Sequence, residues 1–179
     1  MSELRLIPPA VEYAEQIAEY RAEFPVDLPR VTYFVDRIPG LDHLEEYETV
    51  EKWLDYIQSM QGKISWFMAV RRDDQKIVGF SCLRHKLEYD DDDIDFASNI
   101  GYSIRPSERR KGYAKELLRL VLQEAKKLGL DQVRIVCRDS NEGSNRTIAA
   151  CGGRYVDSLY GEESGITINR YDVEIMSTL

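Results

Sequence analysis

Residues 104–118 read IRPSERRKGYAKELL, and the reading of the whole chain turns on them. An apolar strand end meets Pro106, three cations (Arg109, Arg110 and Lys111) precede the single glycine Gly112, and an apolar-periodic helix begins. A helix start leaves up to four backbone N–H groups unpaired and carries about half a positive charge. Cations placed there oppose the dipole, so their clustering implies an anion that compensates them, although a helix opening with solvated cations is the plainer alternative. If the preceding loop curls so that its amides converge, loop and helix end together make a nest suited to phosphate. Gly112 lets the backbone approach such a ligand without a side-chain clash, and Ala114 keeps the next inward position small. Two familiar phosphate loops are excluded, because neither G-x-x-x-x-G-K-[ST] nor G-x-G-x-x-G occurs at this point.

The formal net charge of -8 over 179 residues sets this cationic spot on an acidic protein. Phosphate neutralisation dominates affinity for nucleic acid, so no nucleic-acid partner is expected, and Arg109 to Lys111 are too few to make a basic face. A small anionic ligand suits the spot better. The length fits one domain able to bury its own core. No run approaches the roughly 18 apolar residues of a membrane span. The opening MSELRLIPPA has no apolar signal region, so no membrane partner and a cytoplasmic address are expected. Cys82, Cys137 and Cys151 are scattered without a C-x-x-C spacing and read as reduced thiols, with no metal expected.

Outward from the helix mouth, Gly112 to Leu128 carries Ala114, Leu117, Leu118, Val121, Ala125 and Leu128 at helical spacing, and Gly129 closes it as a C-cap. On the N-terminal side, Leu4 to Ile7 reads as a first strand and Val11 to Phe24 as a helix. Residues 25–47 hold three prolines and Gly40 and read as a long irregular connection of the kind that lines a site. Thr49 to Gln58 is helical by periodicity alone, since Lys52 cannot complete a capping box. Ser65 to Val70 and Lys76 to Leu83 flank Arg72-Asp73-Asp74-Gln75 as a hairpin, and a strand lies near Asn99 to Ile104. Beyond the long helix come a strand at Gln132 to Cys137, a short helix at Asn141 to Cys151, and strands at Arg154 to Leu159 and Thr167 to Ile175. The sum is a mixed α/β (α+β) domain on a central sheet.

Ile104 to Ala114 resembles the central motif of the GNAT acetyltransferase superfamily, a strand ending in hydrophobic-x-Pro and then [Q/R]-x-x-G-x-[G/A] opening a long helix. Arg109, Gly112 and Ala114 fill its three defined positions. Asn141-Glu142-Gly143-Ser144-Asn145-Arg146 is similar to the N-x-x-S-N-R that starts the following helix in many members. Gly152-Gly153-Arg154-Tyr155 stands where the family has a Gly-aromatic pair, and departs from it. The resemblance implies one N-acetyltransferase domain over 1–179, with a mostly antiparallel sheet flanked by helices and a splayed strand pair forming an acyl-CoA cleft. Within it, 1–60 would supply acceptor-side helices and loop, 64–160 the acetyl-CoA-binding core and 161–179 the C-terminal strand. Dimers are common in such families, so a homodimer is a possible state.

By the same resemblance, acetyl-CoA is the cosubstrate and an amine the acceptor, joined by direct attack in a ternary complex. The amides of Arg110, Lys111, Gly112, Tyr113, Ala114 and Lys115, with Arg109 beside them, would receive the pyrophosphate. The backbone of Tyr102, Ser103 and Ile104 would pair with the pantetheine arm, and Asn141 and Asn145 would bind nearby. Many members place a tyrosine seven residues after the motif asparagine as general acid, and here that position is Ile148. Tyr155, Tyr160 or Tyr171 could substitute, or water could protonate a thiolate able to leave unaided. His85, at a strand end, and then Glu88 are the candidate bases, with a structural histidine and a solvated carboxylate as the alternatives. Asp90 to Asp93 reads as a solvated turn that could also steer a cationic amine. His43, with Asp42, Glu45 and Glu46, is either an acceptor-recognition loop or ordinary surface, and Trp53 and Trp66 read as core. Cys137 allows a covalent route but reads first as a small buried residue. An acyl-CoA-binding or sensing domain with weak catalysis is the second functional reading.

Overall fold

A computed structural model of the protein describes residues 2–25, 38–87, 97–162 and 164–175. Strand β1 (Leu4–Ile7) stops at Pro8-Pro9 and leads through a 3-10 turn, Val11–Tyr13, into helix α1 (Ala14–Ala22), which buries Ile17 and Tyr20. Helix α2 (Val50–Ser59) turns Trp53 and Ile57 inward. It starts on Thr49, whose Oγ1 accepts the Lys52 N–H at 3.3 Å. Such a cap needs no acidic partner three residues on, and threonine alone contributes about 1 kcal/mol.

Strands β2 (Ile64–Arg71) and β3 (Ile77–Arg84) form the expected hairpin, and β4 (Ile100–Ile104) pairs antiparallel with β3. The sheet order β1-β2-β3-β4 makes β3 central, and Ile77 to Leu83 is buried on both faces, which is why that run lacks polar alternation. Helix α3 (Tyr113–Lys127) lays Leu117, Leu118, Val121 and Ala125 on one face of this sheet, while α1 and α2 cover the other. The C-terminus of α3 is a Schellman motif: Gly129 sits at φ 76, its N–H donates to the Lys126 carbonyl at 2.9 Å, and the Leu130 N–H donates to the Ala125 carbonyl at 3.1 Å.

Strand β5 (Gln132–Arg138), helix α4 (Glu142–Ala150) and strands β6 (Arg154–Gly161) and β7 (Ile166–Glu174) complete the chain, the strands forming a second antiparallel sheet of order β5-β7-β6. The central sheet is therefore divided. The two halves meet at one corner, where the Asn99 N–H donates to the Arg134 carbonyl at 2.8 Å, the Arg134 N–H to Asn99 Oδ1 at 2.7 Å and the Val136 N–H to Ser98 Oγ at 3.3 Å. Past that corner no strand ladder joins β4 to β5 among the described residues, so the pair splays into a cleft. The core on the α3 and α4 side runs under both sheets, from Ile100 and Ile104 to Val133, Ile135, Tyr171 and Val173.

Candidate active site

The segment between β4 and α3 folds as a 3-10 turn, Pro106–Glu108, followed by two left-handed residues, Arg110 at φ 65 and Gly112 at φ 88. Gly112 is the N-cap of α3 and supplies no side-chain acceptor. The first helical bond is the Glu116 N–H to the Gly112 carbonyl at 3.4 Å. The amides of residues 110–115 thus have no protein acceptor among the described residues, and a Cβ on Gly112 would meet nothing within 4 Å. The charges are less open than the amides. Arg109 donates Nε to the Ile104 carbonyl at 3.2 Å and lies 5.6 Å over the Phe24 ring, and Lys111 Nζ is 2.8 Å from Glu108 Oε2. Arg110 is exposed. Lys111, Lys115 and Arg119 line a groove beside the loop, opposite Ser2 and Glu3.

The open edge of β4 is set by strand parity. The Arg105 N–H donates to the Val78 carbonyl at 2.8 Å, which makes Arg105, Ser103 and Gly101 the residues whose backbone groups face β3. The backbone groups of Tyr102 and Ile104 face the cleft instead. Ser103, between them, pairs its backbone with Phe80, and its Oγ meets the Tyr20 hydroxyl at 3.0 Å. On the facing strand, the Asp139 N–H to the Thr167 carbonyl at 3.0 Å fixes the same parity, so Val136 and Arg138 turn their backbone groups toward the cleft.

Helix α4 begins at the end of β5 and points its N-terminus at the same space. Asn141 caps it, its Oδ1 accepting the Ser144 N–H at 3.1 Å. The Asn145 amide is engaged by protein groups at both its oxygen and its nitrogen. Its Oδ1 accepts from Tyr171 Oη at 2.6 Å, Asn169 Nδ2 at 2.8 Å and Cys137 Sγ at 3.3 Å. Its Nδ2 donates to the carbonyls of Arg138, Asp139 and Asn141. Ile148 is fully buried, so the usual tyrosine position faces the core. Two other hydroxyls occupy this end of the cleft: Tyr102 Oη and Ser144 Oγ lie 2.8 Å apart. Burial raises the Tyr102 pKa above the ordinary phenol value, so its proton stays on. Burial also pushes the Cys137 thiol up to about 11, so it is no thiolate at neutral pH.

His85 does not join this group. Strand β3 runs antiparallel to β4, so its end leads to the closed corner, where the Arg84 N–H donates to the Asn99 carbonyl at 2.7 Å. The His85 ring is held at both nitrogens, Nδ1 2.9 Å from the Gly62 carbonyl and Nε2 2.8 Å from Ser65 Oγ. Tyr155 lies on β6, the outer strand of its sheet, 53% exposed, with Oη 2.7 Å from Ser158 Oγ. It stands two strands from the splay. Tyr160, on the same strand, is exposed as well, and Tyr171 is committed to Asn145. Glu88 and Asp90 to Asp93 lie outside the described residues.

The face of the first sheet covered by α1 and α2 holds a cluster that no sequence spacing announced. Asp42 Oδ2 accepts from Arg84 Nη2 at 2.6 Å and from the Cys82 thiol at 3.1 Å, and the Asp42 carbonyl accepts from Trp53 Nε1 at 3.0 Å. Burial and then the Asp42 charge push the Cys82 thiol up to about 12. His43 adopts φ 70 and reaches Glu46 Oε1 at 2.8 Å. Trp53 and Trp66 are core residues, as read. Among the described residues no helix is long and apolar enough to cross a membrane.

The family model described as "Acetyltransferase (GNAT) domain" matches residues 3–154. No curated protein is similar enough to be matched. Solved structures share the fold. The microcin self-immunity acetyltransferase MccE, in complex with acetyl-CoA and AMP, is 17% identical with a TM-score of 0.70, covering 97% of this chain and 93% of that one. The dodecameric spermidine N-acetyltransferase of Vibrio cholerae is 15% identical with a TM-score of 0.68, covering 98% and 95%. The ribosomal alpha-N-protein acetyltransferase RimL, in complex with coenzyme A, is 15% identical with a TM-score of 0.67, covering 97% and 95%.

Proposed function

Because this chain belongs to the GNAT acetyltransferase family, we propose that it is a single-domain enzyme that transfers the acetyl group of acetyl-coenzyme A to an amine, by direct attack. The observation that carries this reading is the run of open amides at residues 110–115 beside a strand edge whose ladder is incomplete. The amides take the pyrophosphate oxygens, and the edge groups of Tyr102 and Ile104 pair with the pantetheine arm. Asn141, whose Oδ1 caps α4, has no acceptor for its Nδ2 among the described residues and donates it to the ligand. Ser103 and Asn145 are not part of this binding set.

In the transfer, the amine nitrogen bonds to the thioester carbon, an amide on the β4 edge receives the charge that develops on the carbonyl oxygen, and the carbon–sulfur bond breaks. The α4 N-terminus steadies the departing thiolate. Ser144 Oγ, oriented by Tyr102 Oη 2.8 Å away, donates a hydrogen bond to that sulfur, both hydroxyls keep their protons, and the sulfur takes its proton from solvent as the amine gives one up to the base. A neutral, half-buried Cys137 supports direct attack over an acetyl-cysteine route. For the base, Glu88 is proposed on the sequence alone. The acidic chain suits a cationic amine, drawn in by the field of its net charge of -8.

The alternative, an acyl-CoA sensor with little turnover, is favoured by one observation: Ile148 buried where the usual acid would stand. One assay tests both. Thiol release from acetyl-CoA is followed across polyamines, amino acids, aminoglycosides and peptide N-termini. Amine-dependent release supports the enzyme, coenzyme A binding without release supports the sensor, and neither refutes the acyl-CoA reading.

A further inference from the structure

Glu108 is an unexpected residue in a loop whose amides await an anion. Its side chain is 5% exposed. It meets three cations from separate positions: Lys76 Nζ at 2.8 Å on Oε1, and Arg71 Nη1 and Lys111 Nζ at 2.8 Å each on Oε2. Arg71 continues to Asp74 at 2.9 and 2.6 Å and to the Tyr113 hydroxyl at 3.2 Å. The β2–β3 hairpin is thereby fastened to residue 108 at one end of the loop and to residue 113 at the other, and Glu108 in turn holds Lys111 between them. On the opposite side, Glu23 of the α1 end accepts from the Ser107 N–H and from Arg105 Nη1, each at 3.1 Å.

The loop needs this fastening because Arg110 and Gly112 both hold positive φ. For arginine that conformation is strained and persists only where the surroundings over-determine it. Released, Arg110 relaxes and the amides disperse. A rival role is that Glu108 merely occupies Lys111 and competes with the ligand. The charges argue against it: Arg71, Lys76 and Lys111 against Glu108 and Asp74 leave the cluster net positive, with the Glu108 carboxylate enclosed.

We propose that Glu108 is a positioning residue, anchored by Arg71 and Lys76, that holds the amides of residues 110–113 in the arrangement that receives a pyrophosphate. The inference rests on the acetyl-CoA reading above. Its test compares acetyl-CoA with S-acetyl-pantetheine, which carries the thioester and the arm but no pyrophosphate. Glu108→Gln raises the KM for acetyl-CoA about tenfold, about 1.4 kcal/mol, with kcat within about twofold, and its loss with S-acetyl-pantetheine is several times smaller. Equal losses with both donors, or none, overturn the proposal, and tighter use of acetyl-CoA overturns it in favour of competition for Lys111. Should Glu108→Gln not fold, Lys76→Met removes one anchor while two cations remain: a selective rise of about threefold supports the proposal and no rise overturns it. A wild-type protein that neither gains melting temperature from coenzyme A nor transfers acetyl refutes the acyl-CoA reading, and this proposal with it. If the wild type does both, any failure belongs to Glu108 alone.

Discussion

Replacing Gly112 separates the two things the glycine does. At φ 88 it occupies a conformation that costs an ordinary residue about 1–2 kcal/mol. A Cβ there meets no atom within 4 Å, so Gly112→Ala carries strain and no packing clash. For a chain of 179 residues, each 1 kcal/mol is about 2–4 °C of melting temperature, so the variant folds and melts about 2–8 °C lower. The open space is where a phosphate must approach the amides, so the added methyl costs more in binding than in stability. Gly112→Glu also sets a carboxylate beside the phosphate, about 4 kcal/mol of repulsion at 4 Å in a surface-like dielectric. In the wild type, coenzyme A at about a hundred times Kd adds about 2.7 kcal/mol, a rise of about 5–10 °C. That rise shrinks in Gly112→Ala and vanishes in Gly112→Glu. Gly129→Ala is the control: φ is 76, the Cβ position is equally open, and the site lies at the far end of α3. It loses comparable stability and keeps the whole ligand-induced rise. An undiminished rise in Gly112→Glu, or an equal loss in Gly129→Ala, refutes the assignment of this loop to the phosphate.

Ser144→Ala and Tyr102→Phe lower kcat about 100-fold and about tenfold respectively, as loss of a preorganised donor to the departing sulfur and of the group that orients it should, while the KM for acetyl-CoA stays put; unchanged kcat in both removes the hydroxyl pair from the transfer. His85→Ala melts lower, because two ring contacts are lost, yet keeps its pH–rate profile, and a kcat loss beyond about 100-fold would restore His85 as base. Hydrogen bonds from Lys111, then Lys76 and Arg71, hold the Glu108 carboxyl down from 4.5 to about 2. Its folded pKa is depressed, so its contribution is full above the unfolded value and is lost as pH falls toward 2. The melting-temperature gap between wild type and Glu108→Gln therefore narrows between pH 5 and pH 2, and a gap independent of pH contradicts the buried, ionised carboxylate.

What the sequence made legible was whatever a local pattern enforces. The Leu117, Leu118, Val121 and Ala125 stripe and Gly129 specify helix α3 within one residue at each end, because periodicity and a left-handed cap are properties of neighbouring residues. The loop at 104–114 was legible for the same reason: the role proposed for it lies in backbone amides, which proline and glycine position. Side-chain roles were not legible, since they depend on which strand lies alongside. Ser103 and Tyr102 are adjacent in sequence, but only the pairing of β4 with β3 turns one backbone inward and the other to the cleft. Asn145 sits in a family-like motif, yet the strands β5 and β7 consume its amide. His85 looked well placed as the end of a strand, but antiparallel pairing sends that end to the closed corner. Glu108 shows the limit most sharply. Its anchors Arg71 and Lys76 lie 37 and 32 residues away, on a hairpin whose own signals concern only its turn. A loop proposed to bind through its backbone can thus be read from one stretch of chain, whereas the charges proposed to keep its strained amides in place must be read from the fold.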